Sequence, residues 1–114
     1  MLQTNLKHLL SKADFNAAVQ ENKNVMICCG RMGPMCIPVY DIMDELQDEY
    51  KHVAFFDMEF DAKDAEVIRN MPECRSFMGL PFVVYLHDGK VAAATSSIQT
   101  MDKIKSILDK EFSK

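Results

Sequence analysis

The sequence predicts an α/β domain with a central mixed sheet of four to five strands, flanked by helices on both faces. Three observations predict it. Short apolar runs alternate with segments of helical period. The runs are continuous rather than alternating, as in strands buried on both sides. Near the C-terminal end, two such runs flank an Asp-Gly pair, which marks an antiparallel hairpin added to an otherwise parallel arrangement.

The first helix is expected over residues 14–20, with Ser11 as N-cap and Asp14 at the capping-box position. Val25-Met26-Ile27-Cys28-Cys29 is a continuous apolar run ended by Gly30, short enough to be a buried strand. From Cys36 to Tyr50, the apolar residues Val39, Ile42, Met43, Leu46 and Tyr50 recur at steps of three and four, leaving Asp44, Glu45, Asp48 and Glu49 for water. A second strand is expected over residues 52–58. A helix follows over 61–71, with Ala65, Val67 and Ile68 inward and Pro72 as its stop. Residues 81–86 and 90–95 are the hairpin strands around His87-Asp88-Gly89. The last helix carries Met101, Ile104, Ile107, Leu108 and Phe112 on one face, and a weak strand precedes the first helix.

The 114 residues fit one domain, expected over 1–114, and a chain of that length buries enough surface to fold without a metal or disulfide. The net charge of −4 and the scattered Lys and Arg side chains exclude the clustered basic face of a nucleic-acid binder. No run approaches the ~20 apolar residues of a membrane span, and the N-terminal residues lack a signal-peptide pattern. The expectation is a cytoplasmic protein, monomer or weak dimer, in whose reducing surroundings four cysteines are thiols, redox groups or ligands before they are staples. His8, His52 and His87 stand far apart and no Cys-x-x-Cys occurs, so no metal and no cofactor are expected. Asp57, Glu59, Asp61 and Asp64 are read as a solvated acidic cluster at a helix start.

Several strings resemble the thioredoxin family over nearly the whole chain. Asp44-Glu45-Leu46-Gln47-Asp48-Glu49-Tyr50 is similar to the end of its active-site helix, and Met58-Glu59-Phe60-Asp61 to the strand end and acidic turn that follow. Gly79-Leu80-Pro81-Phe82-Val83-Val84-Tyr85-Leu86-His87-Asp88-Gly89 resembles the segment carrying the family's cis-proline, which would be Pro81. The resemblance implies a thioredoxin fold and a cis Leu80–Pro81 bond. It breaks at the active-site motif, where Gly30-Arg31-Met32-Gly33-Pro34-Met35-Cys36 stands in place of Trp-Cys-Gly-Pro-Cys. One register puts Gly33 and Cys36 at the two cysteine positions; the other puts Met32 and Met35 there. Either way the nucleophilic cysteine is missing, and Ile27 or Met26 replaces the family's buried aspartate.

Thiol–disulfide exchange needs an attacking thiolate and a thiol to resolve the product. A helix N-terminus stabilises a thiolate through its free N–H groups, so Cys36 is the candidate catalytic thiol, or else a small side chain filling a gap. Cys74, shortly before the proline loop, is its candidate partner. A partial similarity to spliceosomal thioredoxin-like proteins, which carry cysteines at these two positions, implies a Cys36–Cys74 approach. Cys28 and Cys29 point to opposite faces of a strand; Cys29–Cys36 is a weaker redox pair, and burial of both as small apolar side chains is the simpler reading. The resemblance further implies a groove lined by Gly33, Pro34, Met35, Leu80 and Pro81 that meets a protein or peptide. Met32, Met35 and Met78 would form an adaptable apolar patch there, or fill the space of the absent tryptophan. The readings are therefore a redox protein acting through Cys36, with Cys74 as its partner thiol, and a binding module without chemistry.

Overall fold

The structure is a computed structural model and describes residues 2–112. One five-stranded sheet organises it. Strands β1 (Lys7–Leu9), β2 (Asn24–Gly30), β3 (Ala54–Glu59), β4 (Phe82–His87) and β5 (Lys90–Ser96) lie in the order β1-β3-β2-β4-β5. β1 and β2 both run parallel to β3, while β4 is antiparallel to β2 and to β5. The sheet is thus mixed, as expected. Its centre, β2, is buried at all seven positions, which explains why its sequence is a continuous apolar run.

Helices α1 (Lys12–Glu21), α2 (Ile37–Glu49), α3 (Glu66–Arg69) and α4 (Met101–Glu111) cover the two faces. Alternate residues of β2 divide between them. Met26 and Cys28 join Val39, Tyr40, Met43 and Leu46 of α2 and Ile104 and Leu108 of α4 in one buried cluster. Val25, Ile27 and Cys29 join Ala18 of α1, Ile68 of α3 and Cys74 in the other. The period of two along the strand therefore assigns each side chain to one helical layer.

Local signals account for the element ends. The Ser11 hydroxyl accepts the Asp14 N–H at 3.1 Å, and the Asp14 carboxylate reaches back to the Leu10 N–H at 2.9 Å, so both termini of the capping pair are used. Thr100 caps α4 the same way through the Lys103 N–H at 3.2 Å. Asp88 and Gly89 both adopt positive φ, 52° and 81°, matching the twist of the hairpin they close. An extra residue between Tyr85 and Leu86's partners on β5 bulges the ladder there.

Two expectations are corrected. The helix expected over 61–71 is a short 3₁₀ turn, Lys63–Ala65, followed by the single turn of α3; Ala62 is extended, so no helix starts before it. The acidic cluster is not uniformly solvated. Asp57 sits mid-strand in β3, 1% exposed, and accepts hydrogen bonds from the Thr4 hydroxyl and His8. The three histidines are structural: His8 pairs with Asp57 at 2.7 Å, His52 with the Phe112 carbonyl at 3.0 Å and His87 with the Asn24 side chain at 2.8 Å.

Leu108 is fully buried in the α2/α4 layer. Leu108→Ala is expected to lower the unfolding free energy by about 2–5 kcal/mol through lost transfer energy and a residual cavity, read by urea denaturation.

Candidate functional site

The site is built around a residue without a side chain. Gly30 ends β2, and a Cβ there would lie 2.8 Å from Cys36 Sγ, 2.9 Å from the Tyr40 hydroxyl and 3.1 Å from Pro81 Cβ. A thiol from the α2 start, a hydroxyl from one turn further and the proline before β4 therefore share the space that a side chain at position 30 would fill. The Leu80–Pro81 peptide is cis. The loop holding Gly33 to Cys36 and the loop holding Pro81 meet at this point.

Each wall has its own support. The Gly33 carbonyl accepts the N–H groups of Cys36 and Ile37 at 3.1 and 3.0 Å, which winds the loop into α2 with Cys36 as its N-cap. The Cys36 side chain makes no capping bond; its sulfur instead accepts the Arg31 N–H at 3.4 Å. Arg31 is held in turn by a two-pronged pair with Asp61, at 2.7 and 2.8 Å, and lies over the Phe60 ring. That exposed pair aligns the turn more than it stabilises it. Opposite, the Gly79 carbonyl accepts the Ser97 N–H at 3.2 Å, with Ser97 at φ 67°, so the bend after β5 braces the segment leading to Pro81.

Of the expected site residues, the structure brings Cys36 and Pro81 to this space; Gly33 supports Cys36 through its carbonyl but has open surroundings. Leu80 is half-buried and packs against both core clusters, while Pro34 and Met35 face outward beside it. Met32, Met35, Ile37 and Met78 are exposed around the site, Met78 by 99%. Cys74 is not brought to Cys36. The two belong to different buried clusters, and both are free thiols, as are Cys28 and Cys29. The partial similarity to spliceosomal proteins rests on those two positions, and the structure does not pair them. Of the strand cysteines, Cys28 shares the Cys36 cluster and Cys29 that of Cys74, while the charge at Cys36 acts on both.

Burial sets the state of these groups. It pushes the Cys28 thiol well up, with the charges of Cys36, Cys29 and Asp57 adding to the effect, and pushes Cys29 up to about 12 and Cys74 up to about 11. None of these three is a ready thiolate at neutral pH. Burial also raises the Tyr40 hydroxyl, reinforced by Cys28, Cys36 and Asp57, so it stays neutral and able to donate. Asp57, beside Cys28 on the neighbouring strand, is raised by burial despite the opposing bonds from Thr4 and His8.

Gly30, Arg31 and Tyr40 were not among the expected site residues. Tyr40 is buried on the inward side of α2, although the spacing of Val39, Ile42, Met43, Leu46 and Tyr50 leaves it off the apolar face. Only the approach of Gly30 gives it a place in the site. Among the described residues no His, Cys, Asp and Glu group is arranged to hold a metal. No helix among them is long and apolar enough to cross a membrane.

The chain is similar in structure to thioredoxin O2 from Arabidopsis thaliana in its oxidised state, at 14% identity and TM-score 0.76 over 98% of both chains. It is also similar to a thioredoxin from Plasmodium falciparum, at 16% identity and TM-score 0.77 over 93% of this chain and 99% of that one. Mitochondrial thioredoxin 3 from Saccharomyces cerevisiae matches at 19% identity and TM-score 0.74 over 91% and 94%. No family model and no curated protein matches the sequence. The chain therefore has the thioredoxin fold, as its sheet order and crossovers require.

Gly30→Ala is expected to destabilise by about 1–3 kcal/mol, since backbone-anchored neighbours must move to admit the methyl group. Gly33→Ala, with nothing within 4 Å of the added atom, is expected to be neutral or stabilising by up to about 1 kcal/mol. Thermal unfolding of the two variants side by side checks both. For Asp57, an acid raised on folding stabilises below its unfolded value of about 3.9 and loses that contribution as pH rises through its higher folded value. Asp57→Asn is therefore expected to lose less stability than the parent between pH 4 and pH 7, measured by urea titrations across that range.

Proposed function

We propose that this chain is a thioredoxin-like protein that carries out thiol–disulfide exchange through the single thiol of Cys36, on protein or peptide partners. One observation carries the reading: Cys36 Sγ stands at the start of a 13-residue helix, bordering with Pro81 the space beside Gly30, with a backbone N–H aimed at it. N–H groups and a helix start both favour sulfur in its charged form. The partner would lie along the groove formed by Gly33, Pro34, Met35, Leu80 and Pro81. The exposed methionines around it supply an apolar rim that adapts to varied side chains.

In this reading the Cys36 thiolate attacks one sulfur of a partner disulfide. A Cys36–partner S–S bond forms, the partner's own S–S bond breaks and its second sulfur leaves as thiolate. A low-molecular-weight thiolate then attacks the partner sulfur and releases Cys36 as thiolate. Cys74 is the internal candidate for a resolving thiol, and from the opposite core cluster it would reach Cys36 only after local rearrangement.

The second reading, a binding module without chemistry, is favoured by a specific observation: Cys36 is only 2% exposed while Met78 beside the groove is 99% exposed. One experiment separates them. The reduced protein is incubated with glutathione disulfide, acid-quenched and digested with trypsin, which cuts after Arg31 and places Cys36 apart from Cys28 and Cys29. A glutathione adduct on the 32–51 peptide, absent in Cys36→Ser, is expected. An unmodified 32–51 peptide overturns the redox reading and leaves the binding one. A longer-lived adduct in Cys74→Ser would show that Cys74 resolves it; an unchanged lifetime would remove Cys74 from the cycle.

A further inference from the structure

The Tyr40 hydroxyl is buried, 2% exposed as a residue, and has no hydrogen-bond partner among the described residues. A buried hydroxyl left unpaired costs about 1–3 kcal/mol, and this one is directed at the space beside Gly30 that it shares with Cys36 Sγ. Its hydrogen is free to rotate, and the sulfur receives one N–H, from Arg31.

We infer that Tyr40 is a positioning residue for Cys36: its hydroxyl donates to the sulfur when the thiol ionises, and that bond is its otherwise missing partner. The inference rests on Cys36 being the working thiol. The neutral thiol is a weak acceptor, the thiolate a strong one. The donation holds the negative sulfur in place without removing a proton from Tyr40, so no base is consumed. A side chain at position 30 would occupy the intervening space, which explains why a glycine ends β2.

The groups facing this pair are few. Arg31 from the loop is a cation toward Cys36, Cys28 and Cys29 from β2 lie behind it, and Asp57 from β3 acts on Tyr40 and Cys28. Asp57 is the carboxyl that acts on both Tyr40 and Cys28, and Asp57→Asn serves as the control for its charge.

The test is the pH profile of Cys36 alkylation by iodoacetamide in the native protein, followed on the 32–51 tryptic peptide. Tyr40→Phe keeps the ring and removes only an unpartnered oxygen, so it is expected to fold with an unfolding midpoint equal to or above the parent's. The pH of half-maximal Cys36 alkylation is expected to rise by about one unit in Tyr40→Phe and to stay with the parent in Asp57→Asn. A midpoint unmoved in Tyr40→Phe overturns the inference, as does a parent in which Cys36 is not alkylated at any pH below unfolding. Should Tyr40→Phe fail to fold, Tyr40→Met supplies the same loss of the hydroxyl and is read the same way. Failure of the functional reading is distinguishable: a shifted midpoint without any glutathione adduct leaves Tyr40 in its role and removes the exchange reaction, whereas an adduct with an unshifted midpoint does the reverse.

Discussion

The close approach at Gly30 is the constraint on which the rest of the site depends. The end of β2, the start of α2 six residues on and the bend before β4, some fifty residues away, converge where one missing side chain leaves room. β2 is the central strand and is buried along its whole length, so its end is fixed by ladders on both sides. α2 enters from the Gly33 carbonyl, and the bend before β4 is tied to Ser97. Rigid elements bring the groups together, and the short loops between them have little freedom to separate the groups again.

That convergence also explains the departures from the thioredoxin motif. Without the tryptophan and the first cysteine, the region has less aromatic bulk and one fewer thiol. Tyr40 is buried there, while Met32, Met35 and Met78 are exposed. Arg31, stacked over Phe60 and paired with Asp61, holds the turn that a larger motif residue would otherwise wedge. The fold is retained because two buried clusters extend far beyond the motif, around Met43 and Leu108 on one face, where Cys36 itself is a member, and Ile68 and Val84 on the other.

Much of this architecture was legible in the residues. The hairpin followed from Asp88-Gly89, the first helix from Ser11 and Asp14, and α2 from the spacing of Val39, Met43 and Leu46. What was not legible depends on register and parity. Whether Cys28 or Cys29 faces α2 is decided by a one-residue alternation along β2, which a continuous apolar run does not display. Asp57 reads as one acid among four, and only its position opposite His8 on β1 and Cys28 on β2 shows that it is enclosed. Tyr40 draws no notice in the spacing of its helix; its hydroxyl matters only because a residue ten positions earlier has no Cβ. The span after β3 reads as a longer helix than it forms, since composition alone does not reveal the extended Ala62.

The division of the sheet into two layers has an effect on adjacent residues of the chain. Cys28 and Cys29 share a peptide bond but lie in different clusters: one packs with α2 and α4, the other with α1, α3 and the segment around Cys74. A change of size at each is met first by different helices, so two consecutive letters of the sequence report on two separate interiors, joined through the strand that carries both.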